Sequence, residues 1–274
     1  MRKVSLPGTE LIVSRLCLGT ASLHHLRRGR EQQELLATAA DAGITHFDTA
    51  RMYGEGMAER ALGSFLAGNR SQFTIATKVG FAADALQESI PPLLYASRAA
   101  WGLARRLGIR QSERRRGLTS SDADASLTSS LRAMRTDWVD ILFVHEPRMT
   151  EAGDIARLAD WLASQKSSGR ARFLGLSGIA SDCVAIAQSL PGVFDVLQVE
   201  DSIDGREADV LTRSGRPLQL TFGYLRRGKP GDSGEAKHVV AQALRRNAAG
   251  AIVVSSRKPA RLKELADVAR GPDT

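Results

Sequence analysis

Four side chains that can hold or move a proton stand where short apolar runs give way to polar sequence. Asp48 and Tyr53 lie in Phe47-Asp48-Thr49-Ala50-Arg51-Met52-Tyr53-Gly54, Lys78 in Thr77-Lys78-Val79-Gly80, and His145 in Val144-His145-Glu146-Pro147. A phenol ordinarily titrates near ~10 and is a reluctant donor at neutrality, and an ammonium beside it favours the phenolate and moves that value towards working pH. An acid, a phenol, an amine and an imidazole on one rim would suit proton transfer to a substrate oxygen. Each residue also has a plain structural reading: Asp48 as a helix cap, Tyr53 as packing, Lys78 as a solvated charge, His145 as a hydrogen-bonded core residue. Lys78 would also suit Schiff-base chemistry, although a charged Asp48 beside it keeps the amine protonated and poorly nucleophilic.

Only strands that end on the same side can bring these four together. Short β-branched runs alternate with longer amphipathic stretches, the pattern of βα units around a parallel sheet. Strands are expected at residues 15–19, 44–48, 73–79, 138–144, 172–177, 195–199, 218–222 and 251–254. Helices are expected at 31–42, 57–66, 121–135, 151–167, 182–190, 206–212, 235–247 and 259–268, with Gly43, Gly68 and Gly169 where helices should stop. Eight such units in 274 residues predict an α/β protein with one (β/α)8 TIM barrel spanning residues 1–274. An open doubly wound sheet usually has fewer strands and a G-x-G-x-x-G turn after the first, and no such turn occurs here. Polar residues at the carboxyl ends of barrel strands face the catalytic mouth, which is where all four fall.

Two departures from the repeat are visible. Residues 4–13, two apolar runs around Pro7-Gly8, predict an N-terminal β-hairpin plugging the barrel floor. After strand three, residues 81–120 form a connection far longer than the few residues a βα loop needs. Apolar residues at helical spacing over 90–107, then arginines from Arg105-Arg106 to Arg114-Arg115-Arg116, predict an insertion over the active-site face, with a decorative surface helix as the alternative.

Composition narrows the function class. A content of 43% hydrophobic and 25% charged residues is enough for a real core and argues against disorder. The net charge of +8 raises nucleic acid as a partner, but the cations thicken only in the arginine cluster, without aromatic interleaving or a nucleic-acid motif, so none is expected. Cys17 and Cys183 are isolated in apolar surroundings and read as buried thiols in a reducing compartment, not as metal or redox ligands. His24, His25, His46 and His238 have no partners at metal spacing, and no metal is expected. With no apolar signal core after Met1-Arg2-Lys3 and no membrane-length apolar run, a cytoplasmic protein without a membrane partner is expected.

The chain resembles the aldo-keto reductase superfamily over nearly its whole length, from Leu18-Gly19-Thr20 through Gly175-Leu176-Ser177 to the last helix. Gly43-Ile44-Thr45-His46-Phe47-Asp48-Thr49-Ala50, Tyr53-Gly54, Glu59 and Leu62-Gly63 follow the family's second βα unit, and residues 137–142 its approach to strand four. The resemblance implies an NADPH-dependent oxidoreductase that reduces an aldehyde or ketone with Asp48, Tyr53, Lys78 and His145 as catalytic residues. Tyr53 would give the proton, Lys78 tune it, Asp48 hold Lys78, and His145 orient the carbonyl. A regulatory or redox-sensing subunit that binds NADPH with little turnover is the alternative.

The resemblance also implies the cofactor site. Gly19 and Thr20 would lie beside the nicotinamide ribose, Ser177 and Gln198 would hold the carboxamide, and Phe222 would stack on the ring. Glu200 matches the acidic residue that follows this Gln in many members. At the helix start opened by Ser255, also counted in the cofactor site, Ser256 and Arg261 would grip the adenosine 2′-phosphate, with Arg257 and Lys258 adding charge that favours NADPH over NADH. Three positions depart from the family pattern: Gly178 for Asn, Phe222 for Tyr and Leu265 for Asn. The substrate is expected to be a small-molecule carbonyl compound; sugars, aromatic aldehydes and diketones all suit an open pocket.

Overall fold

Apolar runs buried on both faces require a sheet covered on both sides, and the mostly buried parallel strands of this chain meet that condition by closing into a barrel. The computed structural model describes residues 1–81, 115–228 and 231–271. Its strands are β1 (Lys3–Ser5), β2 (Ile12–Ser14), β3 (Leu16–Gly19), β4 (His46–Asp48), β5 (Thr74–Phe81), β6 (Arg116–Gly117), β7 (Val139–His145), β8 (Ala171–Gly178), β9 (Val196–Glu200), β10 (Leu220–Phe222) and β11 (Ala251–Val254). Eight of them, β3, β4, β5, β7, β8, β9, β10 and β11, pair in parallel, and β11 returns to β3 to close the ring. The helices are α1 (Gly29–Asp41), α2 (Met57–Leu66), α3 (Ser120–Met134), α4 (Ala152–Arg157), α5 (Ala159–Ser167), α6 (Ala180–Ser189), α7 (Asp209–Arg213), α8 (Tyr224–Gly228), α9 (Ser233–Arg246) and α10 (Pro259–Val268).

Strand alternation separates two apolar layers. Leu16, Leu18, Phe47 and Ile75 face the helices, while Cys17, Ala76, Ile141, Phe143, Val196 and Leu220 fill the barrel. The predicted hairpin forms from β1 and β2, and its Leu6, Leu11 and Val13 join the interior cluster, so it stoppers the barrel as expected. Cys17 and Cys183 are free, buried thiols. Asp140 fixes the strand bottoms by accepting from the Ile75 amide at 2.8 Å and from Arg70 and Arg172 at 3.0 Å each.

Differences from the expected boundaries have local causes. Strand β4, expected over 44–48, starts at His46, because the Ile44 amide is bonded to the end of α1 and the Thr45 amide to Ser14 Oγ. The helix expected over 151–167 is split at Leu158, whose amide bonds back three residues to Ile155 and tightens the turn. The helix expected from 206 begins at Asp209, since Arg206 has φ +50°, outside helical backbone. The short helix α8, at the rim after β10, and strand β6 were not anticipated. Strand β6 pairs antiparallel with the end of β5, Gly80 opposite Gly117 and Phe81 opposite Arg116, so the long insertion departs from and returns to the mouth. The helical reading of residues 90–107 lies outside the described residues.

His46 gives the fold an acid-sensitive point. Thr74 Oγ1 directs its proton to the Thr45 carbonyl, so His46 Nδ1 donates to Thr74 at 2.9 Å and Nε2 is left bare, with no partner among the described residues. Burial lowers the ring to about 4 from its ordinary 6.5. A lowered histidine stabilises the fold above the unfolded value and loses that contribution as pH falls through the folded one. Between pH 6.5 and 4 the loss is on the order of 3 kcal/mol. Denaturant titrations across this window are expected to show a steeper loss for the wild type than for His46→Gln; parallel curves would remove His46 as the cause.

Candidate active site

The floor of the mouth is a buried ion pair. Lys78 Nζ lies 2.7 Å from both carboxylate oxygens of Asp48 and 2.8 Å from the Thr49 carbonyl, with the Tyr53 hydroxyl 3.3 Å away. Register explains part of this, since Gly19 pairs with Asp48 and Asp48 with Ala76, two residues before Lys78. Thr20 ties the same corner, its amide and hydroxyl both donating to the Asp48 carbonyl at 2.8 and 3.1 Å.

Tyr53 is held by a compact turn. Its amide donates to Ala50 at 2.9 Å, and its carbonyl accepts from Ala58 in α2 at 3.2 Å. Arg51 forms a buried pair with Glu59 at 3.0 Å, and Thr77 donates to the same carboxylate at 2.8 Å. Turn, helix and the strand bearing Lys78 are thereby locked together. Glycine is required next to Tyr53: Gly54 has φ +64°, and a Cβ there would stand 2.4 Å from His24 Cβ.

The electrostatics differ from the expectation in one respect. Burial works against the Lys78 ammonium, but Asp48 and then Tyr53 outweigh it, and the group titrates above its ordinary value. Burial also raises Tyr53, and although Lys78 lowers it as expected, the net shift is upward. The expected movement of the phenol towards working pH is thus corrected, because desolvation of the phenolate exceeds the attraction of an ammonium already shared with Asp48. Tyr53 is firmly protonated at neutrality.

The opposite wall is a row set by strand register, in which His145 pairs with Ser177 and Ser177 with Gln198. The His145 ring meets Tyr53 edge-on at 5.8 Å between centroids. Gln198 donates to Asp48 at 3.1 Å and to Ser177 Oγ at 3.2 Å, while its buried Oε1 has no partner among the described residues. A buried unsatisfied carbonyl is costly, so an unpartnered acceptor on a residue that lines the cavity invites a ligand N–H.

Above this floor lies a cavity of about 990 Å³. Asp48, Tyr53 and His145 line its floor, Gly19, Ser177, Gln198 and Phe222 its wall, and Ser255, Ser256, Arg257 and Arg261 its far end. Lys78 and Thr20 do not line it; both lie beneath, bonded to Asp48. Lys258 caps α10, its amide accepted by Ser256 Oγ at 3.1 Å, and this basic helix start is an anion site in form. Ser255 Oγ instead donates to the Gly19 carbonyl at 2.9 Å. Glu200 pairs with Arg226, which reaches in from α8.

The three departures have structural counterparts. A Cβ on Gly178 would come within 3.1 Å of Glu146 Cα and Pro147 Cδ, so an asparagine there needs that turn to move. Leu265 is fully buried in the helix-facing core, with no route to a ligand. Phe222 retains an aromatic face on the cavity wall. Sequence reasoning missed His25, Leu26, Met52, Leu225 and Arg226 as lining residues. Met52 was within reach, being next to Tyr53, whereas the others ride on short helical turns that carry no periodic signal.

The family profile described as Aldo/keto reductase family matches residues 15–204. D-threo-aldose 1-dehydrogenase from a Pseudomonas species is 28% identical over 184 residues, covering 65% of this chain and 54% of the relative. The chain spans about half, or less, of the length of the curated relatives it matches. Among solved structures, an aldo-keto reductase from Bacillus halodurans in its holo form gives a TM-score of 0.76 at 17% identity, covering 100% of this chain and 92% of its own. One from Klebsiella pneumoniae in complex with NADPH gives 0.68 at 17% identity, over 98% and 90%. At these identities the likeness of structures establishes the barrel fold. Among the described residues, no helix is long and apolar enough to cross a membrane.

Proposed function

The chain belongs to the aldo-keto reductase family, and from that premise we propose that it is an NADPH-dependent oxidoreductase reducing an aldehyde or ketone to the alcohol, with Tyr53 as general acid. The observation that carries this reading is the convergence of the buried Asp48–Lys78 pair, the Tyr53 hydroxyl and the unpartnered Gln198 Oε1 on one cavity. The Klebsiella relative solved with NADPH supports the choice of cofactor, and the residues present fit it. Gln198 Oε1 would accept from the carboxamide, Phe222 would face the ring, and Ser256, Arg257 and Arg261 would hold the phosphate end.

Bound there, NADPH supplies the hydride for the carbonyl carbon. The chain's own residues do the rest. His145 donates to or orients the carbonyl oxygen, and Tyr53 delivers the proton as negative charge develops on it. Lys78 stabilises the phenolate left behind, and Asp48 keeps Lys78 charged and in place. Gly19 and Thr20 shape the ribose side, the latter through the Asp48 carbonyl. The two buried, unpaired thiols suit a reducing, cytoplasmic setting.

Consumption of NADPH against a carbonyl panel tests the reading, and the name of the Pseudomonas relative puts aldoses on that panel. Turnover of at least one carbonyl is expected; none, with NADPH bound, would overturn it. Arg261→Ala is expected to weaken NADPH binding roughly tenfold or more, since a charged hydrogen bond contributes ~1.5–3 kcal/mol, and to leave NADH binding nearly unchanged. Fluorescence titrations with both cofactors check this, and equal losses would make Arg261 a structural residue.

A further inference from the structure

The last arginine of the sequence cluster is not a free charge. Arg116 Nε and Nη2 donate to the two oxygens of Glu151 at 2.7 and 2.9 Å, and Nη1 donates to the His145 carbonyl at 3.1 Å. Its guanidinium stacks over the Phe81 ring, 4.3 Å from the centroid. Phe81 in turn meets the His145 ring edge-on, 5.5 Å between centroids and perpendicular to it. Tyr53 meets the imidazole in the same manner, at 5.8 Å and 82°. Glu151 is anchored as well, accepting from the Arg148 amide at 3.0 Å in the turn that follows β7.

We propose that Arg116 is a positioning residue for His145: its planar fork pins the end of β7 and the Phe81 ring together, and so sets the orientation of the imidazole towards Tyr53. This inference rests on the carbonyl-reductase reading for its effect on turnover, though not for its effect on the ring. The argument is geometric. Phe81 is the last residue of β5 and Arg116, its antiparallel partner, the first of β6, so the fork closes the base of the insertion directly onto the catalytic rim. The side chains of Arg116 and Glu151 are 23% and 14% exposed, sheltered enough for charge-assisted bonds to hold a fixed geometry. A rigid planar fork that directs three donors at once and a stacking face are properties of guanidinium that an ammonium lacks. Arg115 serves a separate purpose, pairing with Asp122 at 3.2 Å across the start of α3.

The test uses the full chain carrying Arg116→Met, which keeps an alkyl stem over Phe81, Arg116→Lys, which keeps the charge, and Glu151→Gln, which loosens the fork from its far side. Three quantities are read: kcat and KM for the best carbonyl substrate, NADPH affinity, and the imidazole 1H–15N signals of His145, assigned with His145→Asn. Misplacing a reacting group by about 1 Å can cost on the order of 100-fold, so Arg116→Met is expected to lower kcat ~10- to 100-fold with NADPH affinity unchanged. The His145 signals should shift or broaden in both arginine variants and more weakly in Glu151→Gln, and Lys should rescue little of kcat. Unmoved His145 signals, or full rescue by Lys, would overturn the proposal even if the melting temperature falls. If the wild type turns over no carbonyl, the functional reading fails alone and the ring signals still decide this one.

Discussion

Tyr53→Phe should lower carbonyl turnover by about 100- to 10,000-fold, the range a positioned general acid contributes, while the fold and NADPH affinity persist. The substitution removes one oxygen, and with it a 3.3 Å contact to Lys78 Nζ. Lys78 retains both oxygens of Asp48 and the Thr49 carbonyl, so the ion pair beneath stays satisfied. The aromatic ring still packs edge-on against His145. The pH dependence follows from the direction of the phenol's shift. Reduction needs the protonated phenol, and burial raises Tyr53 above its ordinary 10.0, so the rate limited by proton donation should stay flat through neutrality into mild alkali and fall only beyond that value. Single-turnover rates across pH, for wild type and Tyr53→Phe, check both statements. Undiminished turnover in Tyr53→Phe would move the proton donor elsewhere, with His145 next in line.

What the sequence made legible was whatever is encoded over a few adjacent residues. Asp48, Lys78 and His145 each close an apolar run, so period and polarity together put them at strand ends, and the closed barrel follows from counting such runs. The wall row of His145, Ser177 and Gln198 was legible for the same reason, because parallel register aligns strand ends. Contacts formed by chain return were not. Gln198 bonds Asp48 across 150 positions, and Arg116 reaches His145 only because the insertion comes back antiparallel onto β5. The direction of the Tyr53 shift was hidden too. A sequence names the charged neighbour that lowers a phenol but not the desolvation that raises it, and here desolvation is the larger effect. Helix ends were misplaced wherever a single residue's backbone decided them, as at Arg206 with its positive φ.

Lys78→Met separates stability from chemistry at the centre of the site. Lys78 is 2% exposed and Asp48 4%, so removing the ammonium leaves a buried carboxylate to which, among the described residues, Gln198 alone donates. Breaking a buried pair from one side costs about 3–5 kcal/mol, which in a chain of this size lowers the melting temperature by roughly 10 °C. Turnover should fall at least ~100-fold as well, because the phenolate loses the ammonium bonded to it. The double variant Asp48→Asn/Lys78→Met removes both charges, and neutral replacements of a buried pair are far better tolerated than half of one. Its melting temperature is therefore expected to recover most of the loss, a non-additivity that thermal unfolding of the two single variants and the double variant measures directly. Its turnover should not recover, since the amide and thioether give Tyr53 no positive charge. A double variant that regains turnover along with stability would reduce Lys78 to a structural counter-ion of Asp48 and leave the proton on Tyr53 to be tuned by some other group. Recovery of stability alone would identify the ammonium as the element that makes this buried phenol an acid.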